Sequence, residues 1–171
     1  MSNSVVFSHG KESGPWGSKI TAMAQVARDL EFDVLSVDYR GIDDPLARVH
    51  KLIETLSTAP AASGGAQPVL VGSSMGGYVS AAAAAMLRPR ALFLLAPAFY
   101  MPGFEEYTPQ DVPAPTTIVH GWHDDIVPVE NSVRWAREHR ATLHVLNSSH
   151  RLEDQIPVIC SLLRELLKSL A

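Results

Sequence analysis

The chain has 171 residues, of which 46% are hydrophobic and 19% are charged, and its formal net charge at pH 7 is -4. This composition predicts a globular protein with one domain over residues 1–171, and it excludes a disordered or membrane-embedded chain. The small negative charge favours neither nucleic acid nor an anionic membrane as a partner. Cys160 is the only cysteine, which excludes an intramolecular disulfide and a cysteine-based zinc site.

Short apolar runs alternate along the chain with longer runs of helical periodicity, a pattern typical of a parallel sheet covered by helices. The predicted strands are residues 4–8, 33–39, 69–72, 91–96, 116–120 and 142–146. The predicted helices lie near residues 20–30, from 45, over 78–87, over 130–139 and from about 154. We therefore expect an α/β fold with a doubly wound, six-stranded, mainly parallel sheet and helices on both faces.

The second predicted helix has a clear start signal. Asp44 is the expected N-cap, and Pro45 fits the first helical turn. The predicted apolar face consists of Leu46, Val49, Ile53 and Leu56. Residues 58–68, TAPAASGGAQP, follow as a low-complexity segment, which we interpret as a flexible connection.

Residues 69–80, VLVGSSMGGYVS, contain the pattern G-x-S-x-G at Gly72, Ser74 and Gly76. The pattern by itself also fits an ordinary turn rich in glycine and serine. Here an apolar strand precedes it and a helix follows it, which is the setting that holds a nucleophilic serine in a strained, exposed turn. Ser74 occupies the centre of the pattern, whereas Ser73 is expected to pack elsewhere.

A serine hydroxyl needs an adjacent base that is oriented by an acid before it can act as a nucleophile. Asp124 follows the fifth predicted strand in HGWHDDIVP, and His150 follows the sixth in NSSHRLED. The carboxyl ends of parallel strands share one sheet edge, so Ser74, Asp124 and His150 are expected to meet there. A single histidine in such a loop is more often a surface residue, and the hypothesis depends on the three together.

These residues and several shorter motifs resemble the α/β-hydrolase superfamily, over nearly the whole chain. The resemblance is carried by His9-Gly10, by D-x-R-G at residues 38–41, by G-x-S-x-G, by G-x-x-D-x-x-V-P at residues 121–128, and by His150. It implies a small member without a cap domain, built like a dienelactone hydrolase. Those enzymes usually carry cysteine as nucleophile, so the serine here does not imply their narrow activity.

The resemblance also implies roles for individual residues. Ser74 would be the nucleophile, Asp124 the acid and His150 the base, with an oxyanion hole formed by two backbone N–H groups. By position those donors would be Met75 and Lys11. The loop over residues 11–19 is longer than a minimal turn, so Glu12 is an alternative to Lys11.

The expected function is a cytoplasmic serine esterase or thioesterase that acts on a small-molecule acyl substrate without a cofactor. The alternative is a catalytically silent protein of this fold that binds a ligand or partner through the same cleft. Aromatic and apolar residues on loops at this edge are candidates for an acyl pocket: Trp16, Phe99, Tyr100, Met101 and Trp122. His120, His123 and Asp124 lack a further well-spaced ligand, so no metal site is expected. The chain lacks signal-peptide features at its start and an apolar run long enough to span a membrane.

Overall fold

The computed structural model describes residues 3–58 and 67–171. Its strands are β1 (Ser4–Ser8), β2 (Asp33–Val37), β3 (Val69–Ser73), β4 (Ala91–Leu95), β5 (Thr116–Gly121) and β6 (Thr142–Leu146). They form one sheet in the order β2-β1-β3-β4-β5-β6, and every neighbouring pair is parallel. The predicted α/β sheet is therefore confirmed.

Five helices cover the sheet: α1 (Ser18–Asp29), α2 (Pro45–Thr58), α3 (Met75–Leu87), α4 (Val129–His139) and α5 (Ile156–Leu170). The apolar side chains of α1 and α5 pack in one core cluster, on one face of the sheet. Those of α2, α3 and α4 pack in a second cluster, on the other face. This is the doubly wound arrangement, which leaves the carboxyl ends of the strands free to carry a site.

Helix α3 begins at Met75, three residues before the predicted start at Tyr78. Glycine has low helix propensity, so the pair after Met75 obscured the start in the sequence. The structure shows why glycine is needed: a Cβ on Gly76 would lie 2.0 Å from the Ser8 carbonyl oxygen. The first turn of α3 therefore packs directly against the end of β1.

Helix α2 confirms its predicted cap and corrects its predicted face. The Asp44 carboxylate accepts a hydrogen bond of 2.8 Å from the Ala47 backbone N–H. The expectation that Leu46 faces the core is wrong, because its side chain is exposed. In this turn the buried position is held instead by Arg48, whose guanidinium finds backbone acceptors at the sheet edge.

The connection between β4 and β5 contains a single 3-10 turn, Glu105–Tyr107, and no cap domain. This agrees with the uncapped build expected from the sequence. Most of the predicted connection at residues 58–68 lies outside the described residues. Across the described ranges, no helix combines the length and the apolar character that crossing a bilayer would need.

Candidate active site

Three predicted residues meet at the carboxyl edge of the sheet, after β3, β5 and β6. The Nε2 atom of His150 lies 3.0 Å from the Ser74 hydroxyl oxygen. Its Nδ1 atom lies 2.7 Å from Oδ2 of Asp124. Residues far apart in the sequence thus form one continuous chain of hydrogen bonds, from hydroxyl to imidazole to carboxylate.

Ser74 occupies a sharp turn between β3 and α3. Its backbone has φ 55° and ψ -117°, a conformation that non-glycine residues rarely adopt. The Ser74 N–H donates to the Leu95 carbonyl at 2.9 Å, and its carbonyl accepts from the Ala98 N–H at 3.0 Å. These bonds from the end of β4 hold the strained turn in place.

The Asp124 side chain is completely buried and accepts three hydrogen bonds. Oδ1 accepts from the backbone N–H groups of Ile126 at 2.9 Å and Val127 at 2.8 Å. Oδ2 accepts from His150, and it also lies 3.0 Å from Nε2 of His120. A buried carboxylate that accepts from these donors is held in one orientation.

His120 contacts Asp124, a contact that is not predicted from the sequence. Its Nε2 faces two acceptors, the Asp124 carboxylate and the Val127 carbonyl at 2.9 Å, so this nitrogen carries the proton. Nδ1 then accepts from the Ser132 hydroxyl at 2.7 Å. The ring is fully buried, and this burial lowers the pKa of His120. A neutral histidine therefore supports the carboxylate.

The His9-Gly10 segment follows β1 and lies beside Ser74. Nε2 of His9 accepts from the Tyr39 backbone N–H at 2.9 Å, so Nδ1 carries the proton and donates to the Gly10 carbonyl at 2.7 Å. Burial also lowers the pKa of His9. A Cβ added to Gly10 would lie 3.5 Å from the Cβ of Ser74. This distance is an ordinary van der Waals contact, so the Gly10 backbone lies beside the serine.

The two expected anion-binding N–H groups belong to Met75, directly after Ser74, and to Lys11, directly after Gly10. Met75 is the first residue of α3, where the backbone N–H has no intrahelical acceptor. Lys11 directly follows Gly10, and both it and Glu12 are exposed. Met75 thus lies at the start of a helix directly after Ser74, and Lys11 follows the residue that lies beside Ser74.

Two of the expected pocket residues, Phe99 and Tyr100, pack against side chains of helix α4. Phe99 is fully buried and packs against Trp135 with 4.8 Å between ring centroids, so the prediction that it lines an open pocket is wrong. The Tyr100 hydroxyl donates to Glu138 at 2.8 Å, and Arg134 lies over the ring at 4.0 Å. The Tyr100 side chain is therefore held by contacts with helix α4.

The other expected pocket residues remain near solvent. The exposed fraction is 49% for Trp16 and 58% for Trp122, and Met101 is half-buried. This difference in burial is not visible in the sequence, because all five residues lie in loops. Side-chain burial in such loops depends on which helix passes beside them.

Two cavities near this edge do not include Ser74. One, of about 80 Å³, is lined by the loop after β1 together with Ser73 and Glu153. The other is an open depression of about 480 Å³, lined by His123 and polar residues between 147 and 154. Ser74 lines neither of these two cavities, whereas Ser73 lines the smaller one.

His123 and His120 do not converge on a common point. Nε2 of His123 lies 3.0 Å from the side-chain oxygen of Asn147, whereas His120 contacts Asp124. In the part of the chain that the structure describes, no group of three or more His, Cys, Asp or Glu side chains could hold a metal ion.

The sequence and the structure were compared with known proteins. Residues 5–163 match the model of the alpha/beta hydrolase family, so the chain belongs to that family, which supports hydrolase activity. A search of curated proteins found no match. A crystal structure described as a hydrolase of the alpha/beta superfamily, from Xanthomonas campestris pv. campestris, is 31% identical, with 99% of each chain covered and a TM-score of 0.88.

Two further solved structures show the same fold at lower identity. Est1E from Butyrivibrio proteoclasticus, with ferulic acid bound, is 17% identical over 99% of this chain and 89% of its own, with a TM-score of 0.84. An α/β serine hydrolase without a lid, from Xanthomonas campestris, is 21% identical over 98% and 81%, with a TM-score of 0.79. The present chain is likewise an α/β hydrolase without a cap.

Proposed function

We propose that this protein is a serine hydrolase that cleaves a small carboxylic ester or thioester through an acyl-enzyme intermediate on Ser74. The observation that carries the proposal is the unbroken hydrogen-bond chain from Ser74 through His150 to Asp124. Each member has the chemistry that its place in this chain needs: a hydroxyl to attack, an imidazole to take its proton, and a carboxylate to orient the imidazole.

In the first half of the reaction, the Ser74 oxygen attacks the acyl carbon while Nε2 of His150 accepts the hydroxyl proton. Asp124 keeps the other ring nitrogen protonated and stabilises the positive charge that forms on the ring. The tetrahedral intermediate then collapses, and His150 returns the proton to the departing alcohol or thiol. The acyl group remains on Ser74 as an ester.

The negative charge on the carbonyl oxygen of that intermediate needs donors that are already in place. We assign this role to the backbone N–H of Met75 and that of Lys11. The first lies at the start of α3, where the helix dipole also favours negative charge. The second lies in the loop that contacts Ser74 through Gly10.

In the second half, a water molecule attacks the acyl-enzyme while His150 accepts one of its protons. The carboxylic acid leaves, and Ser74 recovers its hydrogen. An open site without a cap favours small or partly solvated acyl groups, because little apolar wall is available. The solved structure of Est1E with ferulic acid bound supports a carboxylic acid product in this fold.

A fluorophosphonate probe tests the nucleophile directly, because it phosphonylates activated serines. We expect the purified protein to be labelled, the label to map to Ser74, and p-nitrophenyl acetate to be hydrolysed. Ser74→Ala should abolish labelling and lower kcat by several orders of magnitude. Ser73→Ala is the matched control, and it should be labelled like the original protein.

Two outcomes would contradict the proposal. Labelling that persists in Ser74→Ala but is lost in Ser73→Ala would show that the nucleophile is Ser73 and not Ser74. Absence of labelling, together with no turnover of ester and thioester substrates by the folded protein, would favour the catalytically silent alternative.

A further inference from the structure

Arg48 on α2 is a buried cation. Its side chain on α2 is only 1% exposed. Its guanidinium donates to the carbonyl oxygens of Ile42 at 2.7 Å, Gly10 at 3.2 Å and His9 at 3.3 Å. Within residues 3–58 and 67–171, no carboxylate forms an ion pair with it.

Such a residue is costly for stability. Removing a guanidinium from water is unfavourable, and carbonyl dipoles and the Tyr39 ring at 5.4 Å offset that cost only in part. An apolar side chain of similar length would fill the same volume without this cost. Packing alone therefore does not explain an arginine here, and its acceptors suggest another role.

Two donors converge on one of those acceptors. The Gly10 carbonyl accepts from Arg48 and, at 2.7 Å, from Nδ1 of His9. The His9 ring is itself fixed by the Tyr39 N–H at its other nitrogen. The direction of the Gly10 carbonyl is therefore set by two buried side chains.

This direction also sets that of the next N–H group. The peptide bond between Gly10 and Lys11 is planar and trans, so its C=O and N–H point in opposite directions. With the carbonyl directed toward Arg48 and His9, the Lys11 N–H points away from them. Gly10 itself lies against Ser74, which is where the substrate carbonyl would be attacked.

We propose that Arg48 is a positioning residue for the oxyanion hole: it holds and polarises the Gly10–Lys11 peptide so that the Lys11 N–H donates to the developing oxyanion. A cation that binds the carbonyl of a peptide withdraws electron density and makes the N–H of that peptide a stronger donor. The inference rests on the proposed function, and it selects Lys11 over Glu12 as the second donor.

Three variants test this role: Arg48→Met removes the charge and the donors, Arg48→Lys keeps the charge, and Arg137→Met is the matched control. Arg137 is exposed on α4, so its loss changes net charge equally without touching the site. For p-nitrophenyl acetate we expect Arg48→Met to lower kcat about 10- to 100-fold, less than full removal of a donor, with KM changed less than about twofold. The kcat of Arg48→Lys should lie between those of Arg48→Met and the original protein, and the kcat of Arg137→Met should equal that of the original protein.

A trifluoromethyl ketone provides a readout that a purely structural role would not change. It adds reversibly to the serine and places an alkoxide where the oxyanion forms. We expect its inhibition constant to rise in Arg48→Met by about the factor by which kcat falls. A folded Arg48→Met with kcat within twofold of the original, or with lower kcat and an unchanged inhibition constant, would overturn the inference.

Folding and the proposed function are controlled separately. If Arg48→Met does not fold, Arg48→Gln takes its place with the same expected results. If neither neutral variant folds while Arg48→Lys has the original kcat, the role of Arg48 is structural and the inference is wrong. Failure of the original protein to react with the fluorophosphonate would instead contradict the proposed function itself.

Discussion

The Asp124 carboxylate is the acceptor on which the hydrogen bonds of the site converge. Its two oxygens accept from two backbone N–H groups and from His150, and Oδ2 also lies 3.0 Å from Nε2 of His120, so the side chain has one orientation. The next residue, Asp125, is exposed to solvent. At the residue scale, the loop after β5 therefore distinguishes two adjacent carboxylates by burial and by hydrogen bonding.

Replacing Asp124 by Asn should reveal this difference. We expect kcat to fall by about 10³- to 10⁴-fold, because an amide no longer holds the imidazole in the required tautomer. Asp125→Asn should stay within about twofold of the original kcat. Both are measured on p-nitrophenyl acetate after circular dichroism has shown that each variant is folded, and a larger loss in Asp125→Asn would reverse the assignment.

The two fully buried histidines predict how stability depends on pH. Burial lowers the pKa of His9 and of His120 below the ordinary value of 6.5. Below pH 6.5 the unfolded chain therefore binds protons that the folded protein does not. The free energy of unfolding should fall as pH decreases from 6.5, by at most about 1.4 kcal/mol per pH unit for each histidine.

Urea unfolding at pH 7.5, 6.5 and 5.5 measures this dependence, with His120→Gln as the comparison. The variant removes one of the two contributions, so its free energy of unfolding should fall less steeply with decreasing pH. Equal slopes in the two proteins would show that His120 binds its proton equally well in the folded and unfolded chain.

At the scale of elements, the site depends on how closely α3 approaches the sheet. A Cβ on Gly72 would lie 2.2 Å from the Gly76 carbonyl oxygen, and one on Gly76 would lie 2.0 Å from that of Ser8. Both distances are far shorter than van der Waals contact. The G-x-S-x-G pattern is thus a packing requirement of the strand-turn-helix unit, and it holds Ser74 beside the end of β1.

Gly76→Ala should therefore destabilise the protein by at least about 2 kcal/mol, since backbone must move to admit the methyl group. Gly17→Ala is the matched control, because no atom lies within 4 Å of a Cβ built there and φ is -65°. It should change the free energy of unfolding by less than about 1 kcal/mol. Urea unfolding measures the free energy of unfolding of both variants. Equal losses in Gly76→Ala and Gly17→Ala would contradict the proposed packing requirement.

At the scale of the whole molecule, the missing cap leaves the site open. Residues 96–115 between β4 and β5 contain five prolines, which disfavour helix interiors, and only a 3-10 turn forms there. Phe104 and Tyr107 in this segment are more than half exposed. With Phe99 buried in the core, little apolar wall remains beside Ser74 for a long acyl chain.

We therefore expect kcat/KM on p-nitrophenyl esters to peak at short acyl groups, of roughly two to six carbons. Each buried methylene contributes about 0.8 kcal/mol, but only where apolar surface is available to cover it. No activation by a lipid interface is expected, since there is no lid to open. Measuring the series from acetate to palmitate tests this, and a steady rise toward palmitate would reveal an apolar tunnel.

The sequence by itself determined the order and type of the elements and the meeting of Ser74, Asp124 and His150. Strand and helix periodicities are local, so they can be read from neighbouring residues. The carboxyl ends of parallel strands share one edge, so residues that follow them come together whatever the detailed packing. The α/β fold and the grouping of these three side chains both follow from these two rules.

Only the tertiary structure decided which other side chains support that edge. His120 contacts Asp124, Arg48 contacts the loop after β1, and Phe99 packs against Trp135 instead of facing the site. The sequence predicts no role for His120 or Arg48 at this edge, and it predicts a pocket position for Phe99. The roles of these residues depend on burial and on contacts with distant elements of the chain. Such contacts are specific to each pair of packed surfaces, so they produce no periodic pattern in the sequence.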